Sequence, residues 1–238
     1  HVALGESFAG IPQKNRFPYD YFHINSVAED DDGDLLVSAR NTWAIYKISR
    51  RTGDVVWRLG GRRSDFGPGD GARFAWQHDA IPRDDGTLTF FDNDAGTVPV
   101  RKNSRAMTLV LDEKKRTASV KTAFTHPGGL SAATQGNVQL LPNGDQFVGW
   151  GSRGVFSEFS PSGELLFDGR VARGNDTYRA YRMPWIGRPA TPPKVVAQTR
   201  GGQTTAIVSW NGATEVASWQ LLAGPSATQL TLVATAPT

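Results

Sequence analysis

Apolar and polar positions alternate along this chain in short runs, and glycine-centred turns separate the runs. The segments 43–48 (Trp-Ala-Ile-Tyr-Lys-Ile) and 154–159 (Gly-Val-Phe-Ser-Glu-Phe) alternate with period two, as half-buried strands do. An Asp/Asn-Gly turn followed by a strand-like run occurs three times. Asp32-Gly33-Asp34 precedes Leu35, Asp85-Gly86-Thr87 precedes Leu88, and Asn143-Gly144-Asp145 precedes Gln146. Between β-rich runs such pairs predict type I′ hairpins. A second turn follows in two of the units, at Thr52-Gly53-Asp54 and Ser162-Gly163-Glu164; the middle unit has the charged run 112–116 instead. The unit is a four-stranded meander that repeats every 53 to 58 residues, counted on Gly33, Gly86 and Gly144. Meanders repeating at roughly 40–50 residues predict propeller blades. No helical period persists over three turns.

The period is long for a blade and implies extended connections. Two stand out, at 61–77 and 125–137, and long loops on a rigid scaffold are where function concentrates. The proline cluster at 189–193 marks a boundary. Residues 1–188 are expected to form a partial propeller of three to four blades, with an N-terminal fragment before the first and a last outer strand near 178–186. Residues 189–238 hold strand-like runs at 194–197, 204–210 and 217–222. They resemble the first half of a fibronectin- or immunoglobulin-like sandwich, too short to close one. The fold class is thus all-β. The chain begins at His1, without Met or a leader pattern, and reads as part of a larger protein.

Composition narrows the chemistry. The chain has 238 residues, 39% of them hydrophobic and 21% charged, a globular balance that excludes a disordered or collagen-like chain. A net charge of +3 does not argue for nucleic acid, while a pI near 9.3 leaves room for a small anionic substrate. No run of about 18 apolar residues exists to span a membrane. The absence of Cys excludes disulfides, thiolate metal sites and a catalytic thiol. The acidic run 29–34 lacks the glutamate an EF-hand needs at its twelfth position, and Gly151-Ser152-Arg153-Gly154 is not a nucleophile elbow.

Four histidines remain: His1, His23, His78 and His126. His23 and Asn25, two apart, share one face of a strand. Arg40 ends the next strand. His78 follows Trp76-Gln77 and lies one repeat after His23, so the two imidazoles would meet at a channel mouth with Arg40 and Asn25 beside them. Two imidazoles, a guanidinium fork and an amide suit a tetrahedral oxyanion, with one neutral His as nucleophile and the other stabilising charge or moving a proton. The same residues fit a plain structural role: His as a scaffold donor, Asn25 in turn hydrogen bonds, Arg40 in an inter-blade ion pair. His126, before Pro127-Gly128-Gly129, and Arg179 and Arg182 read as structural. A metal bound by two His and Asp79 lacks any short ligand spacing.

Several strings in order carry a family resemblance. They include Asp20-Tyr21-Phe22-His23-Ile24-Asn25-Ser26-Val27, Ser38-Ala39-Arg40, and the run 52–61 (Thr-Gly-Asp-Val-Val-Trp-Arg-Leu-Gly-Gly). Trp76-Gln77-His78-Asp79-Ala80, Phe91-Asp92-Asn93 and Gly136-Asn137-Val138-Gln139 continue the series. Over residues 15–188 the chain resembles the bacterial arylsulfate sulfotransferases. The resemblance implies a six-bladed propeller that moves a sulfuryl group from a phenolic sulfate ester to a phenol, without a nucleotide sulfate donor (PAPS-independent). It implies His78 as the nucleophile that becomes a sulfohistidine, with His23, Asn25 and Arg40 holding the sulfuryl oxygens. It implies no cofactor and no metal, a small-molecule aryl sulfate donor and phenolic acceptor as partners, and a secreted, periplasmic or cell-surface location. A further active-site His of the family, in an earlier blade, has no counterpart here. Two other readings stay open: a non-catalytic extracellular binding propeller, and a quinoprotein-like propeller suggested only by the 52–58 turn.

Overall fold

The computed structural model describes residues 1–11, 18–67, 69–96 and 100–237. The chain divides into two compact units, His1–Arg182 and Met183–Thr238. In the first, three four-stranded antiparallel meanders follow one another. The first sheet is β1 (Ile24–Glu29), β2 (Leu35–Ala39), β3 (Ala44–Ile48) and β4 (Val55–Gly60). The second is β5 (His78–Pro82), β6 (Thr87–Asp92), β7 (Arg105–Asp112) and β8 (Thr117–Phe124). The third is β9 (Asn137–Leu140), β10 (Gln146–Gly149), β11 (Val155–Phe159) and β12 (Leu165–Arg170). Strand order in each sheet equals chain order, and β1 packs on β5 while β5 packs on β9. These are the blades the repeat predicts. Helix among the described residues is confined to three-residue 3-10 turns, and none is long or apolar enough to cross a membrane.

The hairpin turns differ from the type I′ expectation. The N–H of Gly33, Gly86 and Gly144 each bonds the carbonyl three residues back, on Asp30, Arg83 and Leu141. In each turn only the glycine has positive φ. This is a type I turn closed by one left-handed glycine. A type I′ turn would put Asp32, Asp85 and Asn143 in the left-handed region as well. Instead their side chains cap the turn: Asp32, Asp85 and Asn143 accept the N–H two residues on, at 3.1, 3.1 and 3.2 Å.

Alternating side chains of neighbouring sheets form the core. Leu36, Ile45 and Trp57 of the first sheet meet Leu88, Phe90 and Met107 of the second. Phe91 and Ala106 of the second meet Val138, Val148, Trp150 and Phe159 of the third. The strand expected near 178–186 does not form. Residues 180–182 are held beside β9 by side-chain amides. Asn137 exchanges two 2.8 Å bonds with the Ala180 backbone, and Gln139 does the same with Arg182 at 2.8 and 2.9 Å.

The second unit consists of two separate hairpins, β13 (Lys194–Arg200) with β14 (Gln203–Ser209) and β15 (Ser218–Ala223) with β16 (Thr231–Pro237). The first three of these strands fall on the runs read from sequence, and β16 adds a fourth. Trp210 and Trp219 meet edge to face at 6.3 Å.

One buried ion pair fixes the long β4–β5 connection. Arg105 on β7 forks onto Asp92 on β6 at 2.6 and 3.1 Å and donates to the carbonyls of Gly71 and Arg73. Asp92 also accepts the Ala75 N–H at 3.0 Å, so strand and loop share one carboxylate. Removing one partner leaves the other charge buried and unpaired. Arg105→Met is expected to lower unfolding free energy by about 3–5 kcal/mol, and Asp92→Asn added to it to recover part of that loss, read by urea denaturation.

Candidate active site

The site is built at the start of β5. Trp76 and Asp79 both adopt left-handed backbone, with φ of 58° and 59°, and the β5–β6 pairing is irregular between His78 and Ile81. Such conformations cost about 1–3 kcal/mol each and persist only where the surroundings over-determine them. Gln77 supplies that constraint. Its side chain is fully buried, and its amide donates to Ser38 Oγ, the Ala39 carbonyl and the Ala44 carbonyl at 3.1, 3.2 and 3.0 Å. The second blade is thereby tied to β2 and β3 of the first. With Gln77 turned into the blade interface, the next side chain is presented on the other side.

That side chain is His78, 4% exposed. Its Nδ1 lies 2.7 Å from Asn93 Oδ1 and 3.0 Å from the Trp76 carbonyl. Both neighbours are acceptors, so Nδ1 carries the hydrogen. The orientation of Asn93 is fixed independently, since its Nδ2 donates to the carbonyls of Ala132 and Gln135, both at 2.9 Å. The lone pair therefore sits on Nε2, where it accepts the Gln135 N–H at 3.2 Å. Burial chiefly drives the imidazole pKa from its ordinary 6.5 down to about 4; the bond to Asn93 opposes this, and the charges of Arg40 and His23 add to it. His78 is a neutral base at neutral pH, with a defined tautomer.

The other residues singled out from sequence surround it unequally. Arg40 lies in a 3-10 turn after β2. Its guanidinium sits 4.6 Å above the Trp76 ring and donates to Asn41 Oδ1 and the Ala133 carbonyl. Burial lowers its pKa and the charge of Asp20 opposes that; a guanidinium nonetheless keeps its charge in a protein. His23 has an exposed ring whose Nδ1 pairs with Asp20, and a left-handed backbone. No hydrogen bond joins its ring to that of His78. Asn25 is placed at the blade seam: its Nδ2 donates to the Gln77 carbonyl at 2.7 Å, and its own carbonyl accepts from Arg179 at 3.1 Å. Arg179 also pairs with buried Asp79 at 3.2 Å.

His126 lies apart from this group. Its Nδ1 accepts the Gly128 N–H at 2.9 Å, its Nε2 faces Asp168 at 3.2 Å, and its ring packs edge-on to Trp150. Among the described residues no group of three or more His, Asp or Glu is arranged to hold a metal.

Two contributors were not identified from residue types. Asn93 sets the tautomer of His78, and the Gln135 backbone covers its lone pair. The signals were present: Asn93 stands in the Phe-Asp-Asn string, and Gln135 in one of the two long loops. Gln135 also has a left-handed backbone, φ 65°.

The first unit is thus a run of three propeller blades with a buried, tautomer-locked imidazole at the start of the second. The profile of the arylsulfotransferase (ASST) family matches residues 3–172, and the chain belongs to that family. No curated protein sequence matches it significantly. Among solved structures it is similar to the PQQ-bound aldose sugar dehydrogenase of Streptomyces coelicolor, at 19% identity and TM-score 0.43, covering 64% of this chain and 47% of that one. It is similar to hydrazine synthase of Kuenenia stuttgartiensis, at 11% identity and TM-score 0.44, covering 84% and 49%. A catalytically inactive virginiamycin B lyase from Staphylococcus aureus with quinupristin gives 11% identity and TM-score 0.42, covering 80% and 56%. The chain spans about half the length of these structures.

The depressed pKa of His78 has a definite sign in stability. The unfolded imidazole takes up a proton near pH 6.5 and the folded one near 4, so its contribution is complete above pH 6.5 and is lost as pH falls toward 4. The span corresponds to about 3 kcal/mol. Wild type is expected to lose that much more stability than His78→Gln between pH 6.5 and 4 in paired denaturant titrations.

Proposed function

We propose that the protein is a PAPS-independent aryl sulfotransferase in which His78 is the nucleophile. The observation that carries this reading is the Nε2 lone pair of a buried, neutral imidazole whose Nδ1–H is held by two carbonyl oxygens. Membership of the arylsulfotransferase family supports it.

The step balances as a displacement at sulfur. Nε2 attacks the sulfur of an aryl sulfate, the N–S bond forms as the S–O(aryl) bond breaks, and the phenolate departs with the bonding pair. The imidazole becomes an N-sulfo-imidazolium, whose positive charge is shared with Nδ1–H. Asn93 Oδ1 and the Trp76 carbonyl face that hydrogen and stabilise the charge as it develops. Arg40 supplies positive charge for the sulfuryl oxygens, where preorganised donors act most strongly in the transition state. An acceptor phenol then takes the sulfuryl group and restores neutral His78. His23, held through Nδ1 by Asp20, leaves Nε2 to accept the phenol's proton. Asn25 acts one step back, by holding the carbonyl that precedes His78. The Gln135 N–H must leave Nε2 before attack, so the 125–136 loop opens or shifts when the donor binds.

The reading is tested with p-nitrophenyl sulfate as donor and phenol as acceptor, on the full-length protein. His78→Ala is expected to abolish transfer. Arg40→Ala is expected to reduce kcat by roughly 10²–10³-fold, the range for a lost oxyanion donor. The acid limb of kcat/KM reports the free enzyme's base and is expected near pH 4, not 6.5. Undiminished transfer by His78→Ala would overturn the assignment.

A further inference from the structure

A pocket opens at the end of the first two blades where β5 begins, and none of the groups that hold the His78 ring lines it. It encloses about 520 Å³ and is lined by Phe8, Trp43, Phe66, Phe74, Arg62 and Arg73, among others. Its aromatic wall is layered. Phe8 stacks on Trp43 with ring centroids 3.6 Å apart and planes within 1°, and the Arg62 guanidinium lies 4.2 Å over the other face of this stack, on Phe8. Trp43 and Trp76 meet edge to face with ring centroids 5.2 Å apart, and neither Trp76 nor Arg40 lines the pocket.

The placement of Trp43 is costly. It closes the 3-10 turn after β2 in the left-handed region, at φ 52°. In the third blade the matching turn after β10 ends on Gly154, at φ 60°, where no side chain is strained. A bulky residue with positive φ marks strain that the surroundings must hold. Glycines make the opposite adjustment nearby. Gly60, at φ +82°, has no room for a side chain, because a Cβ there would stand 2.6 Å from the Phe74 ring. The chain thus accepts backbone strain to present one flat ring and omits a side chain to admit another.

The charge at the rim has one sign. Arg62 and Arg73 are exposed and form no ion pair among the described residues, whereas the neighbouring Arg58 and Arg63 both face Glu6. Flat rings favour a planar aromatic ligand by offset or edge contact, and two guanidinium groups that form no ion pair among the described residues favour a carboxylate or sulfate on it.

We propose that this pocket is a second ligand site, for planar aromatic anions. It does not depend on the transfer reaction, and its occupancy requires neither His78 nor Arg40. Naphthoate is the probe, because it carries no sulfuryl group to transfer; binding is read by tryptophan fluorescence and calorimetry on the full-length protein. Wild type is expected to bind it, and cyclohexanecarboxylate, which has the charge without the planar ring, more weakly. Arg62→Ser with Arg73→Ser is expected to weaken naphthoate binding about tenfold or more, while His78→Ala binds as wild type. Both arginines are exposed, so an unchanged melting temperature identifies the loss as one of binding. No naphthoate binding, unchanged binding in the arginine variant, or loss of binding in His78→Ala would each overturn the proposal. The last would place the ligand at His78 instead. Loss of transfer with retained naphthoate binding would leave this site standing and remove only the catalytic reading.

Discussion

Gln77 spends both hydrogens of its amide on the preceding blade, reaching one hydroxyl and two carbonyls there. A fully buried amide that failed to find such partners would cost about 1–3 kcal/mol for each unmade bond, so the contact sets where the second blade begins. The left-handed Trp76 and Asp79 on either side follow from it, because the chain must turn sharply to put Gln77 into the seam and His78 out of it. Asn25 donates to the Gln77 carbonyl from the first blade. The placement of His78 is therefore a consequence of how two blades are joined.

Around this corner, three separate parts of the chain converge on one imidazole. Asn93, at the end of β6, holds Nδ1–H. The loop before β9 holds Asn93 through two carbonyls and caps Nε2 through one N–H. Arg40 reaches from the first blade to the carbonyl of Ala133 in the same loop. A lone histidine becomes a defined base only because each ring nitrogen has one kind of neighbour. Burial then keeps it unprotonated, and a neutral imidazole is the form that can attack.

The blades were legible in the sequence because each begins with the same turn chemistry and alternates with period two. The turn type was not legible, because one left-handed glycine after a type I turn and a two-residue type I′ turn share the same Asp-Gly or Asn-Gly letters. The difference lies in which carbonyl the glycine N–H meets. The strand expected near 178–186 does not form for a related reason: Asn137 and Gln139 hold the backbone of Ala180 and Arg182 with side-chain amides, a pairing invisible to propensity. At the site, repeat spacing predicts that His23 and His78 meet, and the structure joins the two rings by no hydrogen bond. The spacing did not reveal that one ring is buried and the other paired with Asp20 in solvent. Nor did it reveal that the Asn25 amide is used on the Gln77 carbonyl. The roles of Asn93 and the Gln135 N–H are not legible in sequence because they depend on three-dimensional closure, and a backbone N–H leaves no mark in residue type.

Transfer through His78 requires Nε2 to form a bond to sulfur. The most direct measurement is a rapid-mixing experiment with p-nitrophenyl sulfate and no acceptor, followed at neutral pH by mass spectrometry of the peptide that contains His78. The expected result is a burst of p-nitrophenolate stoichiometric with protein, and one added sulfuryl group on His78 that disappears when phenol is supplied. Transfer that proceeds without a burst, or a sulfuryl group carried by any other residue, would contradict it.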